Sequence, residues 1–203
     1  PFSFKEFLNL FHKKPGIASF EEFYRKGGFP EFLKMHQTGI LQELFKDIIM
    51  RDIVARHKLR STKIIQEMAL YLLTNTGKEF SYSKLKKIFG LGSTSSVMSF
   101  VSYFEDSYLL FTVPKFDYSL KKQLVNPKKV YSIDNGLSIA NSASFSEDKG
   151  RMLENTVFLA LRSKHKEIFY FKETYECDFL IKENEKITRA YQVCYEFTEE
   201  NKA

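Results

Sequence analysis

STKIIQEMALYLLTNTGKEFSYSKLKKIFGLGSTSSVMSFVSYFEDSYLLFTVP, residues 61–114, contains three helical patterns followed by a β-rich run. Apolar residues recur at helical spacing from Ile64 to Leu73, which predicts an amphipathic helix. A short second helix is predicted from Ser81 to Phe89. A third follows Ser93, a residue type that caps helix N-termini. Three short helices in succession therefore make up most of this stretch.

A predicted hairpin follows the three helices. Its strands are Leu109 to Phe116 and Lys129 to Ile133, and the turn between them is polar and rich in lysine. The order helix, helix, helix, hairpin is typical of a winged helix. We therefore predict a winged-helix domain over residues 61–134.

The flanking segments follow different patterns. Residues 1–60 are predicted to form a helical segment, because apolar residues recur at helical spacing around the loop Gly27 to Pro30. Residues 135–203 are predicted to open with a polar loop, followed by a helix and three strands. We place these elements at 150–163, 168–172, 176–182 and 188–197. The predicted fold class is α+β: a helical segment, a winged-helix module and an αβββ domain.

Composition and charge narrow the function classes. The chain has 203 residues, of which 43% are hydrophobic and 28% charged, a globular mixture. No apolar run is long enough for a membrane span, and the N-terminus lacks a signal-peptide pattern, so we expect a cytoplasmic protein without membrane contact. Two cysteines are too few for a disulfide framework or a four-ligand zinc site.

The positive charge is concentrated in the middle of the chain. Residues 58–133 carry twelve Lys or Arg and five Asp or Glu, which favours an anionic partner such as nucleic acid. The predicted third helix has no Lys or Arg between Leu91 and Leu110, so it is unsuited to base readout. We predict non-specific phosphate contacts by the lysines on or beside the wing, namely Lys121, Lys122, Lys128 and Lys129. A solvated wing in a protein-packing module is the alternative.

A second group of polar residues interrupts apolar patterns near the C-terminus. Glu154 lies within the apolar arc of the predicted helix 150–163, and Asp178 interrupts an apolar strand. Gln192 and Cys194 share one face of the predicted third strand. If these elements face one another, the four side chains converge. A helix Glu, a strand Asp and a pair at i, i+2 on the next strand form the pattern of a magnesium-dependent phosphodiesterase.

Two positions depart from that pattern. Gln192 lacks the negative charge of a third carboxylate, and Cys194 lacks the positive charge of a lysine. We assign Glu154 and Asp178 as candidate ligands of weakly bound Mg²⁺, and Asp178, Gln192 and Cys194 as candidate catalytic positions. The alternative is a hydrogen-bonded polar cluster without chemistry.

Several motifs together resemble the C-terminal part of prokaryotic AAA+-type predicted ATPases. They are SFKEFL (3–8), GGFPEFL (27–33), RDIVARH (51–57), NPKKVYSIDNGL (126–137), GRMLEN (150–155), ECDFLI (176–181) and YQVCYE (191–196). The resemblance implies an upstream P-loop ATPase core, a helical lid, a winged helix and a terminal domain similar to PD-(D/E)XK nucleases. It aligns Glu154, Asp178, Gln192 and Cys194 with the nuclease-like motif, where many relatives have Glu and Lys at the last two positions.

The expected function is accessory. The sequence has no G-x-x-x-x-G-K-[ST], so ATP is expected only through an upstream domain, and we interpret the chain as a C-terminal fragment with a truncated nuclease-like domain at 135–203. We expect contact with nucleic acid without sequence preference, or docking of a partner protein, around a degenerate nuclease-like site. The alternatives are a magnesium-dependent nuclease and a pure protein-interaction module.

Overall fold

A computed structural model describes residues 1–142 and 148–196 and has a mixed α+β fold with two small antiparallel sheets. The helices are α1 Phe4–Leu10, α2 Ile17–Lys26, α3 Pro30–Met35, α4 Thr38–Asp47, α5 Thr62–Thr74, α6 Tyr82–Ile88, α7 Thr94–Asp106, α8 Leu120–Val125, α9 Asn135–Asn141 and α10 Lys149–Arg162. The strands are β1 Glu79–Phe80, β2 Leu110–Pro114, β3 Lys128–Ser132, β4 Ile168–Lys172, β5 Glu176–Glu183 and β6 Lys186–Tyr191. The predicted α+β class is confirmed.

The larger core joins the N-terminal helices to the middle of the chain. Helix α4 continues as a π-helix, Ile48–Ala55, and together they bury one apolar stripe that includes Leu41 and Ile53. This stripe packs into the same core as α5, α7 and the first sheet, and the core extends to Leu137 on α9. The core therefore crosses residue 60, where the sequence predicted a boundary.

The first sheet has the order β1–β3–β2, with β3 antiparallel to both neighbours. The three helices predicted from residues 61–114 are confirmed, and α7 begins at the predicted cap, where Ser93 Oγ accepts the N–H of Ser96 at 3.1 Å. The second sheet has the order β4–β5–β6, and α10 packs on it through Phe158 and Leu161. A bridge between Lys115 and Tyr170 joins the two sheets.

Three predicted segments differ from the structure. The Lys-rich turn of the hairpin contains the helix α8, and the predicted polar loop 135–149 begins with the helix α9, which Asp134 caps. The predicted third strand, 188–197, is wrong at both ends, because β6 runs from Lys186 to Tyr191. Phe197 lies outside the described residues. These differences bear on the site because Gln192 and Cys194 follow β6 rather than lie within it.

Gly27, Gly28 and Asp134 fasten the N-terminal helices to α9. Gly27 has a φ of 78°, and the loop then enters α3 with Pro30 in its first turn. The carboxylate of Asp134 accepts the N–H of Gly28 at 2.6 Å and the N–H of Leu137 at 2.9 Å. Asp134 is buried, and this burial raises its pKa to about 6 against the backbone hydrogen bonds that lower it. The GGFP and DNGL motifs therefore meet in one contact.

Candidate functional site

Lys129 on β3 is the centre of the candidate site. Its side chain is buried, and its Nζ lies 3.0 Å from Oδ1 of Asp178 and 3.1 Å from Oε1 of Glu154. Oε1 of Glu176 is also 3.1 Å away. One ammonium group from the first sheet thus touches three carboxylates from the second half of the chain. We refer to Lys129, Glu154, Glu176 and Asp178 as the carboxylate cluster.

The predicted convergence of Glu154 and Asp178 is present. Helix α10 carries Glu154 on the side that packs on the second sheet, because its apolar residues Phe158 and Leu161 face the same core. Strand β5 carries Asp178 directly before the core residue Phe179, and Asp178 is 5% exposed. Both carboxylates interrupt apolar patterns, and both are engaged by Lys129. A buried charge requires such a partner.

Tyr131 supports the cluster from the same strand as Lys129. Its hydroxyl donates to Oε1 of Glu154 at 2.6 Å, and its ring stacks on Phe158 with centroids 4.4 Å apart. Burial, and then the neighbouring charge of Glu154, raise the pKa of Tyr131, so this hydroxyl stays protonated and acts as a donor. The two donors on β3 therefore share one oxygen of Glu154.

The electrostatics of the cluster favour a charged lysine. Burial lowers the pKa of Lys129, but the charges of Glu154 and Asp178 outweigh it, so the net shift is upward. Burial raises the pKa of Glu154, and the charge of Lys129 offsets part of that shift. The ring of Tyr170 lies 5.7 Å from Nζ and adds a cation–π contact.

The cluster continues to the surface through a second lysine. Nζ of Lys172 lies 3.5 Å from Oε2 of Glu176 and 2.6 Å from Oε1 of Glu79 on β1. Burial raises the pKa of Glu176, but the contacts with Lys129 and Lys172 lower it by more, so the net shift is downward. The ion pairs thus connect β1 and β3 of the first sheet to β4 and β5 of the second.

Gln192 and Cys194 do not occupy the positions that the sequence predicted. Gln192 is exposed, and its Oε1 accepts the backbone N–H of Asp178 at 3.3 Å. Cys194 lies in the segment after β6, where its Sγ donates to the carbonyl of Glu196 at 2.6 Å. The carboxylate of Asp178 is contacted from this segment by Val193, whose N–H donates to Oδ2 at 2.9 Å. The segment therefore positions Asp178 through the Gln192 side chain and the Val193 backbone.

The four wing lysines occupy different environments. Lys121 and Lys122 on α8 are exposed, and Lys122 lies 3.5 Å from Asp117. Lys128 is partly buried and donates to the carbonyl of Gln123 at 3.2 Å, and burial lowers its pKa. The prediction that Lys129 contacts phosphate at the surface is wrong, because three carboxylates enclose its ammonium group. Only Lys121 and Lys122 are exposed as predicted.

The carboxylate cluster does not fit Mg²⁺. A magnesium ion needs carboxylate oxygens at about 2.1 Å, with open positions for water. Here the ammonium group of Lys129 is the common partner of the three carboxylates, and the second oxygen of Asp178 accepts the Val193 N–H. Among residues 1–142 and 148–196, no group of three or more His, Cys, Asp or Glu side chains could hold a metal ion. The ammonium group of Lys129 supplies the positive charge that a metal ion would otherwise bring.

Sequence reasoning missed Lys129 as a member of the site, although a signal was present. Side chains on a strand alternate, so Lys129 shares a face with Tyr131, whereas Lys128 points the other way. Tyr131, a large aromatic residue of this strand, is buried. Its partner on the same face, Lys129, was therefore the lysine to place in the interior.

Comparisons with known proteins identify a family but no function. Residues 17–148 match the family described as "Domain of unknown function (DUF8612)". The chain is 36% identical over 227 aligned positions to the uncharacterized protein MJ1544 of Methanocaldococcus jannaschii, covering all of the chain and 50% of that protein. It is 26% identical to an uncharacterized protein of Haemophilus influenzae, covering 98% of the chain and 52% of the relative. The chain thus spans about half the length of these curated relatives, and no solved structure matches it.

Proposed function

Because the chain belongs to the DUF8612 family, whose description leaves function open, we propose a function from its geometry. The chain is the accessory region of an AAA+-type ATP-binding protein, and it contacts nucleic acid without sequence preference and without cutting it. The observation that carries this proposal is the distribution of the lysines. Lys129 neutralises the nuclease-like carboxylates, whereas Lys121 and Lys122 face solvent on the wing.

The middle of the chain supports a winged-helix assignment. Helices α5, α6 and α7 precede the β2–β3 hairpin, and the short strand β1 between α5 and α6 pairs with β3. Such modules bind DNA through the third helix when it carries side chains that reach base edges. Helix α7 contains no lysine or arginine, so contacts with the phosphate backbone are left to other elements.

Two exposed basic elements are available for those contacts. Lys84 and Lys87 on α6 and Lys121 and Lys122 on α8 are all exposed. Lysine–phosphate contacts release counterions and depend on salt rather than on base sequence. The proposal therefore predicts weak, salt-sensitive binding to any duplex.

The absence of cleavage follows from the carboxylate cluster. Cleavage by a two-carboxylate metal site needs oxygens that a hard cation can reach. Breaking the contacts of Lys129 with Glu154 and Asp178 would leave charges buried without partners, which costs several kcal/mol. The cluster therefore works as a structural ion pair between the two sheets.

The ATP-binding part of the proposal rests on the sequence motifs and on length. The chain spans about half of relatives that continue beyond the matched region. We propose that the remaining half of such a protein carries the P-loop core, and that nucleotide acts there. The proposal assigns no nucleotide contact to the described residues of this chain.

Fluorescence anisotropy with two short duplexes of unrelated sequence tests the proposal. We expect similar affinities for both duplexes and a steep loss of affinity with salt. The double variant Lys121→Ala with Lys122→Ala should reduce the slope of log K against log salt by about 2. The matched control, Lys34→Ala with Lys46→Ala, removes two exposed lysines from α3 and α4 and should leave the slope unchanged. Undetectable binding at low salt would contradict the proposal and leave a protein-interaction module.

A further inference from the structure

Three aromatic rings in contact lead from the buried Phe169 on β4 to Tyr118, the most exposed large side chain of the wing. Tyr118 is 97% exposed, and its ring meets Phe116 edge to face at 5.3 Å. Phe116 in turn meets Phe169 on β4 edge to face at 5.7 Å, and Phe169 is buried. Three rings thus run from the buried Phe169 to solvent. The outermost ring, that of Tyr118, contacts Phe116 and is otherwise open to solvent.

The backbone on both sides of Tyr118 is fixed. Before it, the N–H of Phe116 donates to the carbonyl of Tyr170 at 2.7 Å, which holds the segment against β4. After it, Oδ1 of Asp117 accepts the N–H of Ser119 at 2.8 Å, and Gln123 Nε2 donates to the carbonyl of Asp117 at 2.6 Å. The backbone that carries Tyr118 is therefore held before a ligand binds, so binding does not have to order it.

Exposed cations and apolar side chains follow Tyr118 closely in sequence. Lys121 and Lys122 follow Tyr118 within one turn of α8 and are exposed. The same helix exposes Leu120, Leu124 and Val125. Exposed apolar surface next to positive charge fits a ligand that offers apolar faces and negative charges together. Single-stranded nucleic acid does so, because its unpaired bases have free π-faces and its phosphates are regularly spaced.

We infer that Tyr118 and the two lysines of α8 form a binding site for single-stranded nucleic acid, with a base stacked on the Tyr118 ring and phosphates near Lys121 and Lys122. This inference rests on the proposed nucleic-acid contact and narrows its substrate class. A duplex hides the faces of its bases, so it can use the lysines but not the ring. The site therefore favours single strands over duplexes.

Anisotropy with a short oligothymidylate and a duplex of equal length tests the inference. Tyr118→Leu should weaken binding of the oligothymidylate by about 5- to 150-fold, as expected for loss of one stacked base, and change duplex binding less than twofold. Tyr118→Trp should retain or tighten binding, since it keeps an aromatic face. Lys121→Ala with Lys122→Ala should weaken both probes.

Tyr108→Leu is the matched control. Tyr108 is also exposed, but it precedes β2 whereas Tyr118 follows that strand, so the two rings lie at opposite ends of it. The control variant should bind both probes like the unmodified chain. Because Tyr118 is exposed, thermal unfolding of its variants should match that of the parent protein and exclude misfolding.

The outcomes separate this inference from the proposed function. No binding of either probe would overturn both. Binding of both probes that Tyr118→Leu leaves unchanged, or weakens equally, would overturn the stacking site and leave the lysine contacts. A dimer in sedimentation that Tyr118→Leu dissociates would assign the surface to a second copy of the chain and also overturn the inference.

Discussion

Nζ of Lys129 lies 3.0 Å from Oδ1 of Asp178, a contact between strands of two different sheets that are 49 residues apart in sequence. The contact is buried, so neither partner can turn to water if the other is removed. Removing one member of a buried ion pair is far more costly than removing the pair together. Lys129 therefore holds the two sheets in their relative position while it neutralises the carboxylates.

Replacement of Lys129 by methionine should destabilise the protein strongly. The variant leaves Glu154 and Asp178 buried without their cation, which costs about 3–5 kcal/mol of unfolding free energy. Lys172→Met, which removes half-exposed ion pairs, should cost about 1 kcal/mol or less. Urea unfolding of both variants measures the difference. Equal losses would show that burial gives Lys129 no special role.

The Lys129→Met variant should also respond to pH in a defined direction. Without the lysine, burial and the charge of Asp178 raise the pKa of Glu154 above its unfolded value. A raised carboxyl pKa makes stability fall as pH rises through it. The deficit of the variant should therefore be smaller at pH 5 than at pH 8, and a deficit that is the same at both would contradict the structure of the cluster.

Asp134 gives a second pH prediction. Burial raises its pKa in the folded protein to about 6, against an ordinary value of 3.8. The folded state then binds more protons than the unfolded state between these values, so stability falls as pH rises through this window. Asp134→Asn removes this proton linkage. The stability of the parent relative to this variant should drop by roughly 2 kcal/mol from pH 3.8 to pH 6, and a rising difference would contradict the burial of Asp134.

Gly27→Ala should be strongly destabilising. Gly27 has a φ of 78°, and an added Cβ would overlap the carboxylate of Asp134. Backbone strain alone costs about 1–2 kcal/mol, and the overlap adds to it. Gly39→Ala is the control, because its Cβ meets no atom within 4 Å and it lies on α4, where alanine should stabilise by about 0.5–1 kcal/mol. Thermal unfolding should therefore shift in opposite directions for the two variants.

The sequence predicted the regular elements well where the apolar pattern was periodic. Helix α7 shows this, because Val97, Val101 and Phe104 recur on one face and Ser93 caps the helix. Helix α8 was missed because its six residues are exposed or only partly buried and so show no buried face. Helix α9 was missed because its first buried residues, Asn135 and Gly136, are of types common in loops.

The site was only partly predictable. Glu154 and Asp178 stood out as carboxylates in apolar patterns, and the structure brings both to one point. Lys129 was assigned instead to the surface of the wing, because adjacent lysines there suggest a basic surface. Strand alternation places Lys129 on the same face as Tyr131, but only the packing of α10 and β5 against that face shows that its ammonium group meets Glu154 and Asp178. That part of the site depends on tertiary structure and has no local signature.

A cleavage assay tests the central claim. The claim is that the chain contacts nucleic acid but does not cut it, because Lys129 pairs with the carboxylates that a metal ion would need. Labelled oligothymidylate and duplex are incubated with excess protein in millimolar Mg²⁺, at a salt concentration where anisotropy shows binding, and the products are separated on a denaturing gel. We expect both probes to stay full length while bound. Mg²⁺-dependent cleavage by the unmodified chain that Asp178→Ala abolishes would contradict the claim and make the carboxylate cluster a nuclease site.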